Sequence, residues 1–324
     1  MRKIKWIFLV VGLGLFVVLL HEVGWQEILG QLRQVGWYFL LVLAVSGCRY
    51  LARTAAWCRA FPEKHDLPSF GRMFQVRLAG DSLTYLTVAG PLVGEPTKAT
   101  LLRQRLPLAV GLGGTLIEAG VYWITSGLVI LLGLVVGLLQ VTLEAQARWA
   151  GWVTVALLAV SLAGVGWLLR RRVHVFAAAL RWVDRGPLRR LTAQRRERLA
   201  RVEEQLLDFY ALHAADFRAM FLWSSLAQVF AMLEIYVILG ALGLWVGWVD
   251  LLLFEALAKI IKTLFFFVPG RVGTDEGGYA VVFQALGLGL ALGVGLALVR
   301  RLRSLLWSGA GLVILARYAV RRPV

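Results

Sequence analysis

Long apolar stretches interrupted by isolated charged residues dominate the chain. A helix needs about 20 apolar residues to cross the hydrocarbon core of a membrane. The candidate crossings are 6–20, 35–57, 106–143, 149–169, 219–244, 251–268, 277–299 and 304–316. The stretch 106–143 is too long for one perpendicular crossing, so part of it must tilt, bend or lie at the surface. The stretch 304–316 reaches only about 20 Å, so it either continues the preceding helix or is extended by Arg317. The pattern predicts an all-α polytopic membrane protein with six to eight transmembrane helices.

The chain is expected to form a single integral membrane domain with four parts. These parts are an N-terminal anchor helix (1–34), a first repeat (35–169), a cytoplasmic Arg-rich segment (170–218) and a second repeat (219–324). The first apolar stretch resembles a signal peptide. No small-residue cleavage site follows it, so we expect a retained anchor.

Composition excludes an ordinary soluble protein and a disordered one. Hydrophobic residues make up 59% of the chain and charged residues 17%, against about 25% charged in soluble domains. The net charge of +16 would suggest nucleic acid in a soluble protein, but it is concentrated in loops. The loop 170–218 holds twelve arginines and six acidic residues. By the positive-inside rule, this loop and both termini face the cytoplasm, so we expect a cytoplasmic (inner) membrane protein of a prokaryote, with no nucleic-acid partner.

The Arg-rich loop contains an amphipathic pattern. Its apolar positions at helical spacing are Leu188, Leu191, Leu199, Val202, Leu206 and Phe209. Such a helix either lies on the anionic inner leaflet or packs across the cytoplasmic mouth of the protein as a strut.

Two similar loops indicate an internal repeat. Val93-Gly94 and Val272-Gly273 match at an offset of 179 residues, and the same offset superposes the flanking apolar stretches. The charge rule gives the two halves opposite orientations, as in the inverted repeats of many transporters. Each loop then forms a re-entrant helical hairpin, and a plain eight-crossing bundle is the second choice. The expected hinge residues are Gly90, Pro91, Gly94, Pro269, Gly270 and Gly273.

The hairpin tips resemble helix N-termini, which bind anions. Pro96 is expected as the first residue of a helix with Glu95 near its cap, and Thr274 or Asp275 as the cap of the later helix. Lys98 or Arg271 could then assist phosphate binding. The alternatives are that the acids at the tips, Glu95, Asp275 and Glu276, only cap the helices, or that one takes up a proton or a cation to couple transport to a gradient.

Charged residues inside apolar segments are costly and usually face a partner or a cavity. Arg49 and Arg53 share one helix face, and Glu255 can pair with Lys259. Arg77 and Asp81 form either a gate pair or a simple salt bridge. Glu118 and Glu234 can neutralise two of the remaining cations, which leaves a net positive interior suited to an anionic ligand. The candidate substrate-binding residues are Arg49, Arg53, Arg77, Asp81, Glu95, Lys98, Glu118, Glu234, Glu255, Lys259, Lys262, Arg271, Asp275, Glu276, Arg300, Arg301 and Arg303; internal ion pairing is the alternative role for each of them.

Metal, cofactor and nucleotide chemistry have no support in the sequence. The four histidines are scattered and no phosphate-cradling P-loop is visible, so we expect no metal, no cofactor and no catalytic residue. Cys48 and Cys58 are expected to be free buried thiols, since a helix would place them about 15 Å apart. The glycine-rich run around Gly287, Gly289, Gly293 and Gly295 serves either close packing or a hinge.

The chain resembles the flippase-like membrane region of the lysylphosphatidylglycerol synthases, with hopanoid-associated and lipid-linked-sugar membrane proteins as relatives. The motifs that carry the resemblance are Gly94-Glu95 with Lys98 and Leu101-Leu102-Arg103, then Pro269-Gly270 with Gly273 and Glu276, and Leu286-Gly287-Leu288. Lys98 replaces an expected Arg, and Asp275 adds an acid. The resemblance implies a lipid translocase with no attached synthetic activity.

The leading functional hypothesis is therefore a flippase or scramblase that moves an anionic phospholipid or a lipid-linked phosphate across the bilayer without ATP. It predicts a polar cavity lined by each hairpin, with the acyl or prenyl chains left in the bilayer. The alternatives are a membrane enzyme acting on lipid phosphates or lipid-linked sugars, and a non-catalytic scaffold that uses the Arg-rich loop.

Overall fold

The computed structural model describes residues 33–61, 67–87, 90–140, 144–173, 206–265 and 273–320, together with positions 26, 30, 203, 204 and 268. The anchor at 6–20 and most of the Arg-rich segment lie outside these ranges. The described chain is all-α. Its long helices are α1 (Tyr38–Arg59), α2 (Phe70–Leu86), α3 (Gly90–Leu102), α4 (Leu108–Gln140), α5 (Ala145–Arg170), α6 (Ala214–Ala241), α7 (Trp248–Leu264), α8 (Thr274–Ala285) and α9 (Leu290–Val320).

Within the described ranges, α1, α4, α5 and α6 are each long and apolar enough to cross a membrane. Helix α5 packs against α4 and is otherwise almost bare, because only 6% of its most apolar window is buried. Its exposed side chains include Trp152, Leu157 and Val160, so lipid is their natural surrounding. Helix α9 is longer than α1 but carries three arginines near its middle.

The structure settles how the apolar stretches 106–143 and 277–299 fold. The first, 106–143, forms the single helix α4 of 33 residues, about 50 Å long. The second breaks after Ala285, where Gly287 (φ +73°) and Gly289 (φ +85°) adopt left-handed backbone that favours glycine. Helix α9 then runs without interruption through 304–316. These residues therefore continue the preceding helix, and the two glycines serve a turn.

The helix boundaries repeat along the chain. Shifting α1, α2 and α4 by 179 positions brings them within three residues of the bounds of α6, α7 and α9. Helices α3 and α8 occupy corresponding places between them. The contacts between the halves are repeated as well, because α2 of the first half lies against α9 of the second as α7 of the second lies against α4 of the first. The offset derived from the two loops thus extends to the helices around them.

Equivalent helices of the two halves run in opposite directions where they meet. Arg59 at the end of α1 pairs with Asp216 at the start of α6, at 3.3 Å. Arg49, earlier in α1, lies 3.8 Å from Glu234, much later in α6. The N-terminal end of α1 therefore faces the C-terminal end of α6.

Glycines allow the closest helix contacts. On α9, Gly311 lies against the carbonyl oxygen of Leu78, and on α4, Gly133 lies against Ala256 and the carbonyl of Leu252. Gly293 packs on the backbone of Tyr279, so this member of the glycine-rich run serves close packing. A side chain at any of these positions would push the helices apart.

Gly133→Ala is expected to destabilise the protein by about 1–3 kcal/mol, because the added methyl group would lie 2.8 Å from the Leu252 carbonyl oxygen and overpack the α4–α7 contact. Gly120→Ala on the same helix is the matched control, since its new Cβ meets nothing within 4 Å and alanine favours helix. Thermal unfolding in detergent measures both. Equal unfolding temperatures for the two variants would contradict this account of the packing.

Three local predictions are wrong. Pro96 is not the first residue of a helix. It lies inside α3, because residues 90–95 before it are already helical. Neither Thr274 nor Asp275 caps α8. Gly273 does so, with φ +76°, and its N–H donates to Glu276 Oε2 at 3.0 Å. Cys48 is a free thiol as expected but is exposed, not buried, and Cys58 is partly exposed.

Candidate functional site

Charged side chains lie between two apolar clusters in the interior of the bundle. One cluster contains Trp57, Met73 and Leu305, and the other contains Val42, Ile238 and Leu296. Along α1, Arg49 and Arg53 separate Val42 from Trp57. Along α9, Arg300, Arg301 and Arg303 separate Leu296 from Leu305. The charges therefore lie near the middle of these helices and away from their ends.

The first network joins α1, α2 and α4 through Glu118. This carboxylate is fully buried and accepts hydrogen bonds from Arg53 Nε (3.2 Å) and Nη2 (3.1 Å). Arg77 Nη2 pairs with its other oxygen at 3.1 Å, and Arg77 is also fully buried. The predicted Arg77–Asp81 contact is present but long, at 3.9 Å. Glu118 is therefore the main partner of both arginines.

Lys98 extends the first network to the hairpin formed by α2 and α3. Its Nζ lies 2.7 Å from Asp81 and 2.9 Å from Glu95. The aliphatic part of Lys98 crosses the face of Gly80, where a Cβ would collide with it. A small residue on α2 thus makes room for a buried lysine on α3. We define the first network as Arg53, Arg77, Asp81, Glu95, Lys98 and Glu118.

The second network gathers three arginines around Glu234 on α6. Arg300 Nε lies 3.2 Å and Arg303 Nη2 3.1 Å from one carboxylate oxygen of Glu234, and Arg49 Nη1 lies 3.8 Å from the other. Glu234 is fully buried, whereas the Arg49 side chain is 21% exposed. One carboxylate is therefore shared by three guanidinium groups that come from two helices.

Helices α7 and α8 complete the second network. Arg300 also pairs with Glu255 (3.2 Å) and donates to the hydroxyl of Tyr279 (2.9 Å). Lys259 pairs with Glu255 at 3.0 Å, as the sequence predicts. Arg301 pairs with Glu276 at the start of α8. The second network comprises Arg49, Glu234, Glu255, Lys259, Glu276, Arg300, Arg301 and Arg303.

Tyr122 on α4 links the two networks. The guanidinium of Arg53, in the first network, lies 3.9 Å from the centre of the Tyr122 ring, and Lys259 Nζ, in the second, lies 5.6 Å from it. Both distances fit cation–π contacts. Sequence reasoning did not select Tyr122 or Tyr279. Tyr122 follows Glu118 by one helical turn, so its position on the charged face of α4 was the available signal.

The two networks differ in charge. In the first, three cations balance three carboxylates. In the second, the four cations that contact Glu234 and Glu255, namely Arg49, Lys259, Arg300 and Arg303, meet only those two carboxylates among the described residues. This central part of the second network therefore has two positive charges in excess.

The remaining predicted residues take different positions. Lys262 in α7 and Asp275 in α8 are partly buried, and Gly90 begins α3. Gly94 allows close contact between α2 and α3, because a Cβ at this position would lie 2.6 Å from the Gly80 carbonyl oxygen. Arg271, Pro269 and Gly270 lie outside the described residues. So do Leu188, Leu191, Leu199 and Val202, whereas Phe209 is buried in the first apolar cluster, as a strut would require.

The networks are closed in this structure, because their cations and carboxylates contact one another directly. A cavity of about 340 Å³ lies instead at the end of α5 and the start of α6, where Arg170, Arg172, Tyr210 and Arg218 line it. Its lining includes no residue of either network. The predicted polar cavities at the hairpins would thus require the ion pairs to separate.

The fold and the buried charges define a multi-pass, all-α membrane protein whose interior can accommodate ionic groups. The family model of the lysylphosphatidylglycerol synthase transmembrane region matches residues 5–311. The chain therefore belongs to this family, as its motifs indicate. Membership is consistent with a lipid-related function in the membrane. A search of curated proteins and a search of solved structures each gave no match.

Proposed function

We propose that this protein is a lipid translocase that moves an anionic phospholipid or a lipid-linked phosphate between the leaflets of the cytoplasmic membrane without ATP. The observation that carries the proposal is the succession of buried charges from Lys98 through Tyr122 to Arg301. Burying many charges among apolar helices is expensive. A path that binds a charged lipid headgroup would account for these buried charges.

The repeated helices support an alternating mechanism. Inverted repeats place a binding site at the interface of two halves that rock against each other. The antiparallel contact of α1 with α6 and the 179-residue offset fit such halves. In this arrangement, each half would open the charged path to one leaflet in turn. The positive-inside rule places the termini and the Arg-rich loop in the cytoplasm.

The short helices support re-entrant hairpins. Helices α3 and α8 have 13 and 12 residues, or about 20 Å and 18 Å, which is less than a bilayer core of about 30 Å. Each follows a helix of 17 residues, α2 or α7. In our proposal each pair enters and leaves the membrane on the same side, and Glu95 and Glu276 near the tips are the groups where a proton or a cation would couple to lipid movement.

Lipid movement by the purified chain tests the proposal. Liposomes containing the protein and a fluorescent anionic lipid are treated with an impermeant quencher, which reports the rate at which the lipid changes leaflet. The wild-type protein is expected to expose the inner lipid, and protein-free liposomes are not. A rate equal to that of protein-free liposomes would overturn the proposal. Chemical change of the lipid would favour a membrane enzyme, and neither movement nor change would favour a scaffold.

Glu95→Gln and Glu276→Gln are each expected to slow this movement about tenfold, because each removes one partner of a charge-assisted contact near a hairpin tip. Asp216→Asn is the matched control, since it breaks the partly exposed pair with Arg59 and leaves both networks intact. The quenching assay measures all three variants. Wild-type rates in both glutamate variants would remove the coupling role of these acids.

A further inference from the structure

The central part of the second network has an unequal balance of charge. Among the described residues, Arg49, Lys259, Arg300 and Arg303 form ion pairs with Glu234 and Glu255 alone, which leaves two positive charges uncompensated in this part of the structure. The first network, which occupies the corresponding place in the other half, is neutral. Packing and fold are similar in both halves, so they do not explain this difference. Buried cations without a counter-ion are unfavourable, so an anion bound here would stabilise the network.

Part of the excess belongs to a partly exposed side chain. The side chains of Arg300, Arg303 and Lys259 are buried, whereas the side chain of Arg49 is 21% exposed. Within the part of the chain that the structure describes, Arg49 forms one ion pair, the 3.8 Å contact with Glu234, which is beyond hydrogen-bond distance. Lys259 lies over the ring of Tyr122. Arg49, Lys259 and Tyr122 come from α1, α7 and α4. Arg49 and Tyr122 are partly exposed and Lys259 lies behind them, so a ligand would reach the second network from this side.

From this balance of charge and exposure we infer that the second network binds the phosphomonoester group of a lipid, with Arg49 as its first contact and Lys259 as the buried cation behind it. A phosphomonoester carries between about 1.5 and 2 negative charges near neutral pH, which matches the excess of two. A phosphodiester headgroup carries one negative charge, and an aminoacylated headgroup adds positive charge, so both match the excess of two positive charges less well. The inference rests on the proposed function, which supplies the lipid as ligand. It adds the chemical class of the headgroup and the half of the protein that binds this headgroup.

Arginine and lysine suit the two parts of this site. A guanidinium donates two parallel hydrogen bonds to phosphate oxygens, while an ammonium acts as a compact point charge. A phosphate that draws Arg49 away from Glu234 leaves this carboxylate paired with Arg300 and Arg303. Binding would therefore replace the weakest ion pair of the network and keep the stronger ones.

Binding measurements on the detergent-solubilised full chain test this inference. Dioctanoyl phosphatidic acid, a phosphomonoester, and dioctanoyl phosphatidylglycerol, a phosphodiester, are titrated separately by calorimetry. Phosphatidic acid is expected to bind at least about tenfold more tightly to the wild-type protein, because its second charge meets an uncompensated cation. Equal affinities would overturn the inference. Inorganic phosphate is titrated as a third probe, and binding as tight as that of phosphatidic acid would overturn the lipid assignment.

The variants Arg49→Gln and Arg49→Gln/Lys259→Gln are expected to bring the ratio of the two affinities close to one. Arg59→Gln, ten positions further along α1, is the matched control and should keep the wild-type ratio, because its partner Asp216 lies outside both networks. The single variant is the safeguard for folding, since the Arg49 side chain is partly exposed and its ion pair with Glu234 is long. A preserved ratio in folded Arg49→Gln would overturn the assignment of Arg49.

The outcomes separate this inference from the proposed function. Selective binding of phosphatidic acid without movement of fluorescent lipid would support the site and contradict the translocase. Movement of lipid without selectivity between the two headgroups would support the translocase and contradict the site.

Discussion

Glu234→Gln is expected to lower the free energy of unfolding by about 3–5 kcal/mol, which is the cost of leaving buried charges without their partner. Glu234 is the carboxylate that Arg49, Arg300 and Arg303 share. Glutamine keeps the shape of the side chain and removes its charge, so three guanidinium groups would lose their common counter-ion. Reversible unfolding in detergent micelles, followed by tryptophan fluorescence, measures the change.

Arg303→Gln is the comparison that makes this prediction specific. It removes a cation from the part of the second network that has two positive charges in excess, so it should lower the free energy of unfolding by less than about 1 kcal/mol, because one fewer buried charge has to be compensated. Losing a carboxylate should therefore cost several times more than losing an arginine. Equal losses for Glu234→Gln and Arg303→Gln would show that the contacts of these side chains matter for stability while the balance of charge does not.

Glu118→Gln is expected to cost a similar amount, about 3–5 kcal/mol, for a related reason. Glu118 is the main partner of Arg53 and Arg77, and Arg77 is fully buried and has its other acidic contact at 3.9 Å. The same unfolding measurement applies. Asp216→Asn, in a partly exposed pair on α6, should change the free energy by less than about 1 kcal/mol.

The first network differs from the second because its charges balance. Arg77→Gln should therefore also be costly, since it leaves Glu118 with Arg53 alone. The double variant Arg77→Gln/Glu118→Gln should recover part of the loss, because it leaves Arg53, which is 15% exposed and can turn toward the surface. A double variant less stable than either single variant would contradict this pairing scheme.

Much of the fold could be predicted from periodicity and glycine content. The apolar stretches give most of the helices, since a helix in lipid must satisfy its own backbone hydrogen bonds. The loop pair at Val93-Gly94 and Val272-Gly273 gave an offset that α1, α2 and α4 follow. The errors concern single positions. Pro96 looked like a helix start because proline favours that position, but proline also occurs within a helix where neighbouring contacts hold it.

The candidate site was predictable in its membership and not in its connections. Spacing along one helix predicts the ion pair of Glu255 with Lys259, since residues four apart share a face. No spacing indicates that Glu118 meets Arg77, or that Arg49 and Arg303 meet at Glu234, because these partners come from different helices. Tyr122 was missed because a tyrosine in an apolar stretch resembles an ordinary core residue until its charged neighbours are known.

The sequence by itself determined that this protein is a helical membrane protein of the lysylphosphatidylglycerol synthase transmembrane-region family, with two similar loops and with charges inside apolar segments. These properties depend on local patterns of polarity and on short motifs. Only the tertiary structure decided which charges share a carboxylate and, among the described residues, that the first network is neutral and that the centre of the second keeps two positive charges. Charge balance is a property of side chains brought together from distant helices, and the packing of those helices sets which of them meet.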